Sequence, residues 1–129
     1  MTRLAAGVDL VLVDEVQEAL DSFGERYLCR VFTPHEIACA TGDGKIRARH
    51  LAARFAAKEA TMKALGPTDC LPEWRSIEVH QEEGGRCTLR LSGRAAELAR
   101  RSHLSEFAVS LTHEGELAAA VVFALGDTP

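Results

Sequence analysis

The chain opens on a mostly apolar run, Leu4 to Val13, that ends in β-branched residues and reads as a buried strand. Asp9 interrupts it. Asp14 is placed to cap a helix through about Phe23, with Val16, Ala19, Leu20 and Phe23 on its apolar face and Gly24 at its end. Glu25 to Phe32 predicts a further short helix. Thr33-Pro34-His35-Glu36 is a helix start with a capping threonine, proline at the first helical position and glutamate completing a capping box; this helix should stop by Gly42.

Lys45 to Leu65 is the longest helical pattern, closed by Gly66 and Pro67. Leu51, Phe55, Met62 and Leu65 lie along one face. Ala52, Ala56, Ala60 and Ala64 form a neighbouring strip that another backbone can approach closely. The rhythm then changes. Ser76–Gln81 and Arg86–Ser92 alternate apolar and polar around Glu82-Glu83-Gly84-Gly85, a β-hairpin pattern. Gly93–Ser102 predicts a helix with Ala95, Leu98 and Ala99 inward, and Glu106–Thr112 and Glu116–Leu125 predict two more strands. The order β-α-α-α-β-β-α-β-β implies an α+β fold with a largely antiparallel sheet and a long central helix.

Composition narrows the class. The 129 residues are 47% hydrophobic and 26% charged, which excludes disorder, collagen and coiled coil and fits one domain over 1–129. Fifteen Lys+Arg against nineteen Asp+Glu give a net charge of −4, contrary to a general nucleic-acid binder. No apolar run has membrane length, and the N-terminus lacks the pattern of a signal peptide. Cysteines at 29, 39, 70 and 87 form neither a zinc pattern nor a disulfide framework, so a cytoplasmic protein with reduced thiols is expected. The charge is uneven: Lys45–Lys63 holds six Lys/Arg and one acid, whereas the first 25 residues hold Arg3 against six acids.

Three features carry candidate chemistry. Asp9 sits in an apolar strand, where a bare charge is costly. Taken alone, it reads most simply as a strand-end acid facing water or capping an amide; the alternative is a paired, protonated or cation-bound carboxylate. On the long helix, Glu59 borders the apolar face, Lys63 sits one turn beyond it, Lys58 falls near the centre of the apolar stripe, and Arg54 borders the opposite flank. Two readings fit this arithmetic. In one, Glu59–Lys63 is a surface pair and Lys58 snorkels to water. In the other, cations and an acid are set for a phosphorylated, metal-bound ligand, since Mg²⁺ takes carboxylates together with substrate phosphates. His113, in Ser110-Leu111-Thr112-His113, is a hydrogen-bonded turn residue or a group that contacts phosphate or moves a proton. No P-loop, G-x-G-x-x-G or G-x-S-x-G is present.

Together, Gly7-Val8-Asp9, Phe32-Thr33-Pro34-His35-Glu36, Arg54-Phe55-Ala56-Ala57-Lys58-Glu59-Ala60 with Lys63-Ala64-Leu65-Gly66, and Ser110-Leu111-Thr112-His113 before the strand Ala118–Phe123 resemble the short phosphopantetheinyl transferases, the holo-acyl-carrier-protein synthases. The resemblance runs over nearly the whole chain. It implies transfer of 4′-phosphopantetheine from coenzyme A to a serine of an acyl or polyketide carrier protein, with adenosine 3′,5′-bisphosphate released. It implies Asp9 and Glu59 as Mg²⁺ ligands, Lys63 on the diphosphate, Arg54 and His113 on coenzyme A phosphates, and Gly66 where the nucleotide approaches the backbone. Glu59, a metal-associated water and His113 are the implied candidates for the serine proton, and a homotrimer with sites between subunits is the implied assembly. A non-catalytic coenzyme A-binding protein of the same fold is the alternative. Against the family pattern, the first helix carries Asp14, Glu15 and Glu18 rather than basic docking residues, Cys87 stands where proline is common, and Pro67-Thr68-Asp69 follows Gly66.

Overall fold

The computed structural model describes residues 1–129. The chain runs β1 (Thr2–Leu12), α1 (Val13–Phe23), α2 (Glu25–Val31), α3 (Pro34–Cys39), α4 (Gly44–Leu65), a 3₁₀ turn (Trp74–Ser76), β2 (Ile77–Gln81), β3 (Cys87–Leu91), α5 (Gly93–Arg101), β4 (Glu106–Glu114) and β5 (Leu117–Asp127). The predicted order of elements holds. All pairings are antiparallel, but there are two sheets: β1-β5-β4 and the separate hairpin β2-β3.

The predicted capping box forms. Thr33 Oγ1 accepts the Glu36 N–H at 3.2 Å, and Glu36 Oε1 accepts the Thr33 N–H at 2.9 Å. Asp14 does not cap α1; Leu12 holds that position without a side-chain bond, and Asp14 lies in the first turn, where its charge still suits the helix dipole.

Helix α4 is the spine of the molecule. Burial is not confined to one stripe: Leu51, Ala52, Ala56, Ala57, Lys58, Ala60, Thr61 and Leu65 are all buried. The helix has sheet on one side and α1, α3 and the hairpin around the others. The alanine strip does what its spacing predicts and lies against the three-stranded sheet. Contact is closest at Gly7, where an added Cβ would lie 1.9 Å from the Ala60 carbonyl oxygen. Only glycine fits, so this position lets helix backbone rest on strand backbone. Residues on the same face of β1 (Gly7, Asp9, Val11) are drawn under α4, while Leu4, Val8, Leu10 and Leu12 point away and are exposed.

Candidate active site

Asp9 and Glu59 meet because of that packing. Asp9 follows Gly7 by two residues, on the face of β1 beneath α4, and Glu59 precedes Ala60 on the helix. The Asp9 side chain is only 11% exposed. Its Oδ1 accepts a bond from Lys63 Nζ at 3.0 Å, and Lys63 also donates to the Val8 carbonyl at 3.1 Å. Its Oδ2 is buried with no partner. Lys63 therefore ties α4 to β1 through Asp9, and the i,i+4 surface pair with Glu59, one of the two readings of the sequence, does not form.

Glu59 is half-buried beside Asp9, and its pKa is pushed up to about 7. Burial is the main cause; the neighbouring Asp9 carboxylate adds to it, Lys63 opposes it, and Glu15 adds a little more. Two carboxylates so close cannot both ionise freely without a cation between them. With one Asp9 oxygen already orphaned, the pair fits a hard divalent ion that takes oxygen ligands from protein and substrate. Beyond the pair, Glu59, Met62, Lys63, Gly66, Pro67 and Leu71 line a cavity of about 440 Å³. Gly66 ends α4 at φ +93°, and the space where its side chain would be is open.

Arg54 and His113 stand apart from this cavity. Arg54 is 5% exposed and has no carboxylate partner. It donates to the His50 carbonyl at 3.2 Å and to Gln81 Oε1 at 2.7 Å, and its Nε is buried without an acceptor. A guanidinium so desolvated and uncompensated calls for an anion. His113 is exposed at the end of β4, opposite Ala118, which faces Val11 across β5. It lies near His50, whose pKa is lowered by burial, by Arg54 and by His113. Arg54 thus sits as a fixed cation in a cluster with the His50 and His113 imidazoles. His50 was not singled out from sequence; its place one turn before Arg54 is the only signal that points to it.

Lys58 corrects both sequence readings. It neither snorkels nor reaches the cavity. Its fully buried ammonium pairs with Glu36 Oε1 at 2.7 Å and donates to the carbonyls of Trp74 and Ile77. Glu36 Oε2 in turn accepts the Val79 N–H at 2.8 Å. This network bolts α3 and the β2-β3 hairpin to α4. Burial pulls the Lys58 pKa down, and Glu36 works against that shift.

A half-buried carboxylate pair flanked by lysine at the edge of a cavity, with the desolvated Arg54 further along α4, has the chemistry of a site for a phosphorylated ligand. The sequence comparisons make this specific. The family model of the 4′-phosphopantetheinyl transferase superfamily matches residues 5–122, and the chain belongs to that family. It is 43% identical to the holo-[acyl-carrier-protein] synthase of Moorella thermoacetica, over 92% of this chain and 91% of that protein. It is 44% identical to the protein of the same name from Chloroflexus aurantiacus, covering 92% and 95%. In structure it resembles the ACPS–CoA complex of Chronobacterium ammoniagenes, with TM-score 0.84 and 33% identity over 98% of this chain and 99% of that one. It also resembles the holo-(acyl-carrier-protein) synthase of Bacillus anthracis in complex with CoA (3′,5′-ADP), with TM-score 0.76 and 26% identity, covering 95% and 96%.

Proposed function

We propose that the chain transfers the 4′-phosphopantetheine arm of coenzyme A to a serine hydroxyl of an apo acyl or polyketide carrier protein, releasing adenosine 3′,5′-bisphosphate. The observation that carries this reading is the Asp9–Glu59 carboxylate pair, with Lys63 beside it, at the cavity next to Gly66. Asp9 and Glu59 would hold Mg²⁺, because both offer hard oxygen donors and Asp9 Oδ2 lacks any partner. Bound there, the ion supplies charge stabilisation to the leaving phosphate.

The chain's own residues do the rest. Lys63, 58% exposed and steered by Asp9 and the Val8 carbonyl, presents its ammonium to the diphosphate. The serine oxygen forms a bond to the phosphorus that carries pantetheine while the bond from that phosphorus to the bridging oxygen breaks. The electron pair leaves with the bisphosphate. The serine proton would pass to Glu59, which lies on the cavity wall. Arg54 and His113 would take another phosphate of coenzyme A, which satisfies the guanidinium.

The assembly we favour is a homotrimer in the cytoplasm. On the sheet face away from α4, Leu4, Val8, Leu10, Phe123 and Leu125 are all exposed, a contiguous apolar surface that a monomer in water rarely leaves open. A second copy of this surface is its natural cover, and the separation of the Arg54–His113 cluster from the Glu59 cavity supports a site completed across subunits. The four cysteines are unpaired, as in a reducing compartment.

Calorimetric titration of coenzyme A with and without Mg²⁺ tests the reading. Mg²⁺ should tighten binding, and Asp9→Ala should remove most of that gain. Unchanged Mg²⁺ dependence in Asp9→Ala takes Asp9 out of the site, and no binding of coenzyme A under any condition overturns the reading.

A further inference from the structure

The Glu59–Lys63 cavity is walled on one side by the connection after α4, residues 66–73, which has no regular structure. Within it, Thr68 Oγ1 and the Cys70 backbone close a small turn: the Cys70 N–H donates to the hydroxyl, and the hydroxyl donates to the Cys70 carbonyl, both at 3.2 Å. One group outside the connection hydrogen-bonds residues 67–72, and it is Arg94 in the first turn of α5. Arg94 Nε donates to the Cys70 carbonyl at 3.2 Å, and Nη2 donates to Thr68 Oγ1 at 3.3 Å. Its remaining nitrogen, Nη1, faces Glu97 at 3.2 Å.

The far end of α5 holds the other end of the same segment. Ser102 Oγ donates to the Leu65 carbonyl at 3.4 Å, and Ala99 and Leu104 pack on Leu65. Helix α5 therefore brackets the end of α4 and the loop that follows. At the loop's tip, Leu71 is 70% exposed and borders the cavity beside Glu59 and also a second hollow of about 800 Å³, whose wall includes Arg94.

We propose that Arg94 is a positioning residue for coenzyme A binding: it touches no reacting atom, but by pinning Thr68 and Cys70 it holds the loop that walls the Glu59–Lys63 cavity. A planar guanidinium suits this task because it bonds two acceptors from one rigid fork. Without it the loop must be ordered by the ligand, and that ordering is subtracted from affinity. The cost falls on ground state and transition state alike, so KM rises and kcat does not fall.

The inference rests on the transfer reading above, and the test separates the two. Wild type, Arg94→Ala, Arg94→Lys and Glu97→Gln are compared for kcat and KM with coenzyme A, and for amide exchange of residues 67–72 without ligand. Arg94→Ala should raise KM about tenfold, leave kcat within about twofold, and speed exchange across the loop. Arg94→Lys, bonding one acceptor at a time, should fall between it and wild type. Glu97→Gln keeps both loop bonds and should match wild type. A KM for Arg94→Ala within about twofold of wild type overturns the proposal, as does an equal rise in Glu97→Gln. Should Arg94→Ala fail to fold, a wild-type KM and wild-type loop exchange in Arg94→Lys overturn it instead. If wild type neither binds nor transfers, the transfer reading fails, and the ligand-free exchange still decides whether Arg94 holds the loop.

Discussion

Lys58 and Glu59 adjoin on α4, and their side chains leave the helix about 100° apart. One enters the core to neutralise Glu36; the other reaches the cavity beside Asp9. Lys58→Met strands the Glu36 carboxylate in the interior, which typically costs about 3–5 kcal/mol. Urea unfolding should show a loss of that size, and a Lys58→Met protein as stable as wild type would contradict the structural role. Glu59 carries the opposite signature. Its folded pKa of about 7 lies above the ordinary 4.5, so the folded state holds its proton over that interval. The stability it contributes is full below about 4.5 and is lost as pH rises through about 7. His50, lowered in the fold, contributes the reverse slope near its own range. The difference between metal-free wild type and Glu59→Gln isolates Glu59. The thermal midpoint of wild type should fall relative to the variant between about pH 4.5 and about pH 7. Added Mg²⁺ should raise the wild-type midpoint more at the alkaline end, where the carboxylate is free to bind it. Parallel midpoint curves for the two proteins would contradict the shifted carboxylate.

At the scale of elements, the contact of β1 with α4 builds the site. Gly7 admits the Ala60 carbonyl, and Asp9 and Glu59 are each carried one or two residues along from that contact. Gly7→Ala must push strand and helix apart, and overpacking of this kind costs about 1–3 kcal/mol or more. Denaturant unfolding should show that loss, and calorimetry should show weaker coenzyme A binding; wild-type values for both would mean the approach is not what joins the carboxylates. The alanine strip was legible in sequence because close packing requires small residues at helical spacing, whereas Gly7-Val8-Asp9 was legible through the family resemblance and the approach of Gly7 to Ala60 was not. The capping box was legible because all its atoms lie within four residues. The role of Lys58 was not: its partner Glu36 is 22 residues away in the chain, and period arithmetic places a residue on a face without saying what meets it. For the same reason the β2-β3 hairpin was visible but its separation from the main sheet was not. Alternation marks a strand and leaves its neighbours open.

At the scale of the whole molecule, the proposed trimer would cover the exposed sheet face and join the divided site. Phe123→Asp places a charge in the middle of the apolar face without touching the α4 side of the sheet. Light scattering should find wild type as a trimer and the variant as a monomer with little transfer activity; a monomeric, fully active wild type would contradict the assembly. The surface of α1 is acidic, with Asp14, Glu15 and Glu18 exposed. The central claim is the transfer itself. Its most direct test is the mass of each apo carrier protein in a panel after incubation with the protein, coenzyme A and Mg²⁺. The account predicts that at least one carrier gains a single 4′-phosphopantetheine on its serine, and that none does with Glu59→Gln. No adduct on any carrier, or full modification by Glu59→Gln, would contradict it.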